Sequence, residues 1–194
     1  MYNGNIIILG GPGSGKGTLA KSIVEKYTYF TLITAGDILR EEKNSDTELG
    51  AYLRETIGKG NLIKDSVIND IIRNKVDSIK DPFILDGYPR TLVQVKTVEK
   101  TFAKKISLAI SLELSEEIMI ERMLKRGETS NREDDKDIKI IMNRVKEFND
   151  KTKPVSDYYR QSIGICEYID ASQSKLDVFT QAELIMNDKF NGKL

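Results

Sequence analysis

The sequence predicts a three-layer α/β/α fold built on a five-stranded parallel sheet, and two observations support this prediction. Five short apolar runs with strand-like composition recur along the chain, and helical patterns separate most of them. The first run leads through a glycine-dense turn directly into a helical pattern. The predicted strands are residues 5–10, 30–34, 83–86, 108–114 and 165–169.

The glycine-dense turn after the first predicted strand is the strongest functional signal. Gly10 is followed by four residues and then by Gly15 and Lys16, which is the spacing of a P-loop. The glycines allow backbone N–H groups to approach phosphate oxygens, the next helix directs its positive N-terminus at them, and Lys16 adds an ammonium group. The turn therefore predicts a triphosphate site and a fold of the P-loop NTPase type.

One position departs from the usual P-loop pattern. Gly17 replaces the serine or threonine that normally follows the lysine, and the hydroxyl comes one residue later, at Thr18. Because this hydroxyl ligand is missing, we expect Mg²⁺ to rely on phosphate oxygens, water and a nearby carboxylate. Asp86, at the end of the third predicted strand, is expected to reach the metal through water. The alternative is that Asp86 only shapes the turn before Gly87.

Helical patterns fill most of the intervals between the predicted strands. They lie at residues 18–27, 37–43, 46–57, 66–76, 116–127 and 136–150. Ser45 and Glu48 have the spacing of a capping box for the third of these helices, and Asp65 is expected to cap the fourth. Ser115 is expected to start the fifth, and Pro154 to break the sixth.

Two segments look inserted between these elements, at about 35–64 and about 127–137. The first has polar, glycine-flanked ends, which suit a part that moves, and the second is too polar to be expected in a core. No Pro- or Ser-rich linker divides the chain. We therefore predict one domain over residues 1–194 that carries two small inserts.

The composition predicts a soluble, intracellular protein, and we expect it to be cytoplasmic. Thirty basic residues balance thirty acidic ones, so no overall field attracts nucleic acid or an anionic membrane. No run approaches the length of a membrane span, and the single cysteine, Cys166, excludes an internal disulfide and a structural zinc site. Histidine is absent, so the chemistry must proceed without the most common general base.

Six arginines are placed so that they can converge on a polyphosphate. They are Arg40, Arg90, Arg122, Arg126, Arg132 and Arg144. The first two follow different predicted strands and would meet the P-loop at the carboxyl end of a parallel sheet, while the other four surround the second insert. A planar guanidinium group suits phosphoryl oxygens and stays charged at any working pH. The alternative is that they pair with acids such as Glu121, Asp134 and Asp135, which can also hold arginines in place.

A second motif matches a signature of a different class of protein. Residues 74–77 match the NKxD motif with which GTPases read guanine. That motif belongs in a loop after a strand, whereas here it ends a predicted amphipathic helix. We interpret the match as coincidence, and a nucleotide-dependent switch protein that transfers no phosphoryl group stays as the alternative class.

Four motifs, taken in order, resemble the nucleoside monophosphate kinases, which include the adenylate kinases and the UMP/CMP kinases. They are GGPGSGKGT at 10–18, TAGDILR at 34–40, DGYPR at 86–90 with Gln94 after it, and KRGETSNREDD at 125–135. The resemblance implies the sheet order 2-3-1-4-5, a mobile monophosphate-binding insert at about 35–64 and a short lid at about 127–137. The core would then comprise residues 1–34, 65–126 and 138–194.

The resemblance also implies a monomeric enzyme that transfers a phosphoryl group from ATP to AMP, with Mg²⁺, to give two ADP. The expected ATP-binding residues are Gly13, Ser14, Gly15, Lys16, Gly17, Thr18, Arg122, Arg126 and the main chain near Gln173. The expected AMP-binding residues are Thr34, Ala35, Arg40, Asn61, Leu62, Ile63, Gly87, Arg90, Gln94, Arg132 and Arg144. The expected catalytic residues are Lys16, Arg90, Arg122, Arg132 and Arg144.

Two residues, Gln94 and Ala35, point to different acceptor bases. Gln94 offers one donor and one acceptor, which match N6 and N1 of adenine but equally match N4 and N3 of cytosine, and a flipped amide would also match guanine. Ala35 stands where adenylate kinases usually have threonine, and the Ala-Gly pair resembles the UMP/CMP kinases. We favour AMP, with a pyrimidine monophosphate as the alternative.

Overall fold

The computed structural model describes Tyr2 and residues 4–80, 82–101, 105–130 and 132–191. Its strands are β1 Asn5–Gly10, β2 Thr31–Thr34, β3 Phe83–Asp86, β4 Ile106–Glu113 and β5 Cys166–Asp170. They form one parallel sheet in the order β2-β3-β1-β4-β5. The predicted fold class and the sheet order are confirmed, and each strand end lies within two residues of its predicted position.

The helices flank this sheet. They are α1 Lys16–Lys26, α2 Ala35–Glu42, α3 Glu48–Gly58, α4 Asp65–Asp77, α5 Leu92–Thr101, α6 Glu116–Thr129, α7 Ile138–Glu147, α8 Lys153–Tyr158 and α9 Lys175–Asn191. A 3₁₀ turn occupies Glu133–Asp135, and π turns occupy Phe148–Thr152 and Tyr159–Ile163. Within the described ranges, no helix is long and apolar enough to cross a membrane.

The central strand β1 shows why the fold has three layers. Ile6 and Ile8 belong to the core that packs against α1 and α9, whereas Ile7 and Leu9 belong to the core on the opposite face, with residues of α4, α5 and α8. Successive side chains of a strand point to opposite faces, so a strand covered on both sides is apolar throughout. Complete burial of each such side chain contributes about 1.5–3 kcal/mol.

The strand register brings the carboxyl ends of three strands together. Ile8 of β1 and Thr34 of β2 both pair with Asp86 of β3. The segments that follow these strands therefore open at the same edge of the sheet, which is where ligands bind in open parallel sheets.

Two predicted helix caps are wrong. Thr47, and not Ser45, caps α3: its hydroxyl accepts a hydrogen bond from the Gly50 N–H at 3.0 Å, while the Ser45 hydroxyl donates to the Glu42 carbonyl at 2.8 Å. Asp65 is the first residue of α4, and its carboxylate accepts hydrogen bonds from the side chains of Thr91, directly before α5, and Gln94 in α5. In both cases the side chain forms hydrogen bonds with groups other than the N–H groups of the helix it was predicted to cap.

The helix α6 continues past Gly127, where the sequence predicted its end. A Cβ at this glycine would lie 2.4 Å from the carbonyl oxygen of Asp135. The glycine therefore lets the returning backbone approach the helix and does not terminate it. The expected start of α6 at Ser115 is confirmed, since its hydroxyl accepts from the Ile118 N–H.

Pro154 does not break the chain's helical path. It lies in the first turn of α8, a position at which proline is tolerated, directly after the π turn. The path from α7 continues through α8 and the second π turn to Gly164, whose backbone is left-handed with a φ of 72°. This glycine provides the actual end of the segment.

Candidate active site

A cavity of about 410 Å³ opens where β1, β2 and β3 end. Most of the residues that the sequence analysis expects to bind nucleotides line it. They are Gly13, Gly15, Lys16, Gly17, Thr18, Thr34, Ala35, Arg40, Asn61, Leu62, Ile63, Asp86, Gly87, Arg90, Gln94, Arg126, Arg132 and Arg144. The chain therefore brings the P-loop, both inserted segments and the turn after β3 to one place.

The P-loop takes a conformation that its glycines make possible. Gly10 and Gly13 have φ values of 137° and 77°, and a Cβ at Gly10 would lie 2.6 Å from the Leu112 carbonyl oxygen. Lys16 folds back over this loop, and its ammonium group donates to the carbonyls of Gly10 and Gly11 at 2.8 and 2.7 Å. Ser14 is buried beneath the same group.

Burial lowers the pKa of Lys16 to about 7, and the Asp86 carboxylate opposes this shift while Arg90, Arg126 and Arg144 reinforce it. A phosphate group near the ammonium would raise the pKa again, because an opposite charge favours the protonated form. The cavity lining is thus rich in positive charge, which favours an anionic ligand.

Asp86 lies against the P-loop at the unusual glycine. A Cβ at Gly17 would lie 3.3 Å from Oδ2 of Asp86, so the missing side chain leaves room for the carboxylate. Burial raises the pKa of Asp86, while Lys16 and Arg90 oppose that effect. Across the residues that the structure describes, no group of three or more acidic, histidine or cysteine side chains could hold a metal. A metal at Asp86 would therefore need phosphate oxygens and water as its other ligands.

Arg126 and Arg144 meet on one buried carboxylate, that of Asp135. Asp135 is 0% exposed and accepts from Arg126 Nε and Nη2 at 2.5 and 3.0 Å, and also from Arg144 Nη1. Asp134 pairs with Arg144 at 2.7 Å. Burial alone would raise the pKa of Asp135, but the hydrogen bond from Arg126 and the charges of both arginines hold it below its ordinary value. The expectation that the second insert is too polar to pack is wrong for this residue.

The other arginines at the cavity are held differently. Arg90 donates from Nε to the Gly87 carbonyl at 2.7 Å, and Arg40 pairs with Asp37 of its own helix. Arg132 forms no ion pair with any residue that the structure describes, and burial is the main cause that lowers its pKa. The Arg132 guanidinium is therefore not committed to a carboxylate of the described residues.

Gln94 is 3% exposed, and its amide is already engaged on both sides. Oε1 accepts from the backbone N–H of Arg90 at 2.6 Å, and Nε2 donates to Oδ1 of Asp65 at 2.7 Å. An amide has two N–H groups and two lone pairs on its oxygen, so one of each stays available to a ligand.

Three expected ATP-binding residues do not line the cavity: Ser14, which is buried, and Arg122 and Gln173. Arg122 is adjacent to Gly13 and its Nη2 lies 3.4 Å from the Ser172 carbonyl oxygen. Gln173 is exposed in the same turn and accepts from Gln181 at 2.8 Å. Arg122 therefore lies between Gly13 of the P-loop and the turn after β5.

The sequence analysis missed the link between α7 and the first insert. Asn143 donates from Nδ2 to the Lys59 carbonyl at 2.9 Å and to Asn61 Oδ1 at 2.8 Å, and Glu147 accepts from the Leu62 N–H at 3.3 Å. Asn143 and Glu147 stand four residues apart and so share one face of the helix. The sequence shows that spacing, but it does not show their partners, which lie more than 80 residues earlier in the chain.

Comparisons with known proteins agree with this geometry. The family model described as adenylate kinase matches residues 8–163. An adenylate kinase of Flavobacterium psychrophilum is 39% identical over 163 residues, covering 81% of this chain and 85% of that protein. Adenylate kinase isoenzyme 1 of Sus scrofa is 39% identical over 180 residues, covering 91% and 90%. An adenylate kinase of Bacteroides thetaiotaomicron is 40% identical over 161 residues, covering 80% and 84%. A five-stranded P-loop core, an arginine-lined cavity and a match across most of the sequence show that this chain belongs to the adenylate kinase family.

Proposed function

We propose that this protein is an enzyme that reversibly transfers the γ-phosphoryl group of ATP to AMP and yields two ADP. One observation carries the proposal: a single cavity is lined both by the P-loop with Lys16 and by a second group of residues, Arg40, Arg90 and Gln94. The P-loop suits a polyphosphate, and the second group suits a monophosphate attached to a base. Two nucleotides can therefore face each other across the point of transfer.

The transfer needs alignment and charge neutralisation more than proton abstraction. An oxygen of the AMP phosphate attacks the γ-phosphorus, the bond from that phosphorus to the β–γ bridging oxygen breaks, and ADP leaves with the bonding electrons. The attacking oxygen is already an anion, so the absence of histidine is no obstacle. We assign catalytic roles to Lys16, Arg90, Arg132 and Arg144, which line the cavity, and to Arg122 beside the P-loop. One arginine of this kind contributes roughly 10³ to 10⁵ in rate.

We also propose that Mg²⁺ takes part. Asp86 can hold the ion through water, and the open space at Gly17 leaves its carboxylate accessible beside the phosphate-binding loop. When bound, Mg²⁺ would neutralise charge on the β- and γ-phosphate oxygens. Lys16 and the arginines supply the remaining positive charge and fix the orientation of the phosphates.

The two inserted segments, at about 35–64 and about 127–137, are proposed to close over the acceptor and the donor. Closure excludes water, which would otherwise accept the phosphoryl group and hydrolyse ATP. In this role the lid brings Arg132 to the phosphates, and the first insert brings Arg40 and Asn61 to the acceptor. The monomeric state and cytoplasmic location expected from the sequence stay predictions.

The acceptor is tested by a coupled assay with ATP as donor and AMP, CMP, UMP, dCMP and GMP as acceptors. We expect AMP to give the highest kcat/KM. Ala35 is the one feature that favours a pyrimidine, and a preference for CMP or UMP would replace AMP as the acceptor. Tight binding of ATP without transfer to any monophosphate would instead support the switch-protein alternative.

A further inference from the structure

The hydrogen bonds around Gln94 select one of the two flip orientations of its side-chain amide. The Arg90 N–H can only donate, and it faces Oε1 at 2.6 Å. The Asp65 carboxylate can only accept, and it faces Nε2 at 2.7 Å. A flipped amide would place oxygen against carboxylate and N–H against N–H, so it would lose both bonds and leave buried groups unpaired.

The carboxylate that selects this direction is itself held in place. The Thr91 hydroxyl donates to the same Oδ1 of Asp65 at 2.9 Å and accepts from the Gln94 N–H at 3.1 Å. Asp65, Thr91 and Gln94 therefore form a closed ring of hydrogen bonds between the first turns of α4 and α5. Asp65 does not line the cavity, whereas Gln94, which donates to its carboxylate, does.

We infer that Asp65 is a positioning residue for the choice of acceptor base, because it fixes the Gln94 amide in the direction that reads a 6-aminopurine. With Gln94 fixed, its free N–H can donate to N1 of adenine and its free lone pair can accept from the N6 amino group. A 6-oxopurine presents the reverse pattern, N1–H and O6, and would face like groups at both atoms. This inference rests on the proposed function, in which Gln94 contacts the acceptor base.

Inosine monophosphate is the sharpest probe of this idea. It has the size of AMP, lacks the 2-amino group of GMP, and differs from AMP only by the reversed donor and acceptor at positions 1 and 6. The measured quantity is the ratio of kcat/KM for AMP to kcat/KM for IMP, with ATP as donor. A site built to hydrogen-bond one pattern discriminates strongly against the other, so the ratio of the unchanged protein should be large.

The disrupting variant is Asp65→Ser, which keeps a residue suited to a helix start but is too short to reach Gln94. We expect the AMP:IMP ratio to fall by about tenfold, because one of the two groups that direct the amide is lost while the Arg90 N–H stays. The KM for ATP should not change. Asp65→Asn should restore most of the ratio, since its Oδ1 can still accept from Gln94 and Thr91.

Two further variants distinguish a failure of this inference from a failure of the proposed function. Thr91→Val removes a hydrogen bond of the same ring but leaves the hydrogen bond from Gln94 to Asp65. It should therefore keep the AMP:IMP ratio, even if it lowers the melting temperature. A fall in the ratio as large as that of Asp65→Ser would mean that general loosening of the site lowers it, and would overturn the inference. Gln94→Ala should raise the KM for AMP and lower the ratio. If it does while Asp65→Ser leaves the ratio unchanged, only the inference fails. If Gln94→Ala changes nothing, the proposed contact of Gln94 with the base fails as well.

A measurement on the unchanged protein covers the case in which Asp65→Ser does not fold. In NMR spectra without nucleotide, one side-chain amide proton of Gln94 should resonate downfield and exchange slowly with solvent, as a proton held by a carboxylate does. Asp65→Asn should shift that proton upfield. Fast exchange of both amide protons in the unchanged protein would overturn the inference.

Discussion

In the P-loop, one contiguous segment supplies the glycines, the lysine and the helix N-terminus that we propose to bind phosphate, whereas around the proposed lid three elements supply the charges. Arg126 comes from α6, Asp135 from the 3₁₀ turn and Arg144 from α7. The P-loop positions Lys16 on backbone carbonyls, while the buried carboxylate of Asp135, within the proposed lid, holds Arg126 and Arg144 of the flanking helices. The comparison predicts that the P-loop lysine can be removed without harm to the fold and that the lid carboxylate cannot.

The largest effect should come from Lys16→Met. We expect kcat to fall by about 10³ or more, because the ammonium group neutralises charge on the phosphates in transfer. The melting temperature should hold or rise slightly, since the structure buries this cation at a cost that lowers its pKa to about 7. Steady-state kinetics and thermal melting followed by circular dichroism measure the two quantities.

The matched control for that variant is Lys146→Met, whose ammonium group is exposed and pairs only with Asp150 in the described part of the chain. It should keep the activity of the unchanged protein. Full activity of Lys16→Met, or its unfolding, would contradict the P-loop half of the comparison.

The second effect, on stability, should come from Asp135→Asn. Loss of the buried carboxylate leaves Arg126 and Arg144 without their shared partner, and because both arginines are partly exposed we expect a cost of about 2 kcal/mol. The folded pKa of Asp135 lies below its ordinary value, so its contribution is present above the pKa of the unfolded chain and is lost as pH falls through the folded pKa. The difference in unfolding free energy should therefore be largest near neutral pH and shrink in acid.

Urea unfolding of the unchanged protein and of Asp135→Asn, at a series of pH values, measures this difference. Glu133→Gln is the control, since Glu133 lies in the same 3₁₀ turn and its ion pair with Lys136 is exposed. Such surface pairs contribute at most about 1 kcal/mol. Equal losses in the two variants, or a loss independent of pH, would mean that Asp135 has no special role in holding the lid.

The same contrast explains how much the sequence could predict. The strands and the P-loop followed from local patterns, because a glycine spacing or an apolar run is a property of neighbouring residues, and the rule for parallel sheets then placed five of the six arginines at one cavity. The closed ring at Asp65 and the buried Asp135 did not follow, since each depends on which distant side chain competes for a carboxylate. Gly127 was misinterpreted for the same reason: its role is set by the Asp135 backbone that packs on it.

A third prediction concerns the link between α7 and the first insert. Asn143→Ala removes two hydrogen bonds to Lys59 and Asn61, so the insert should be held less firmly against the helix that carries Arg144. We expect the KM for AMP to rise by about tenfold, with the KM for ATP nearly constant. Met142→Ala, at an exposed neighbouring position, is the control and should change neither. An equal rise in both KM values would show that Asn143 supports the whole site and not the acceptor side.

The smallest effect should come from Gly17→Ala, which tests whether the P-loop has room to spare beside Asp86. The added methyl group would lie 3.3 Å from Oδ2 of Asp86, a contact that the carboxylate can relieve by a small shift. The backbone is helical here without a positive φ, so the fold should tolerate alanine. If Asp86 holds Mg²⁺ through water, that shift should raise the Mg²⁺ concentration for half-maximal rate by about threefold, which corresponds to less than about 1 kcal/mol.

Gly58→Ala is the matched control, because its methyl group would meet nothing within 4 Å, and it should leave the Mg²⁺ dependence unchanged. An unaltered Mg²⁺ dependence in Gly17→Ala would separate Asp86 from the metal and leave its carboxylate with the sole task of balancing the charges of Lys16 and Arg90.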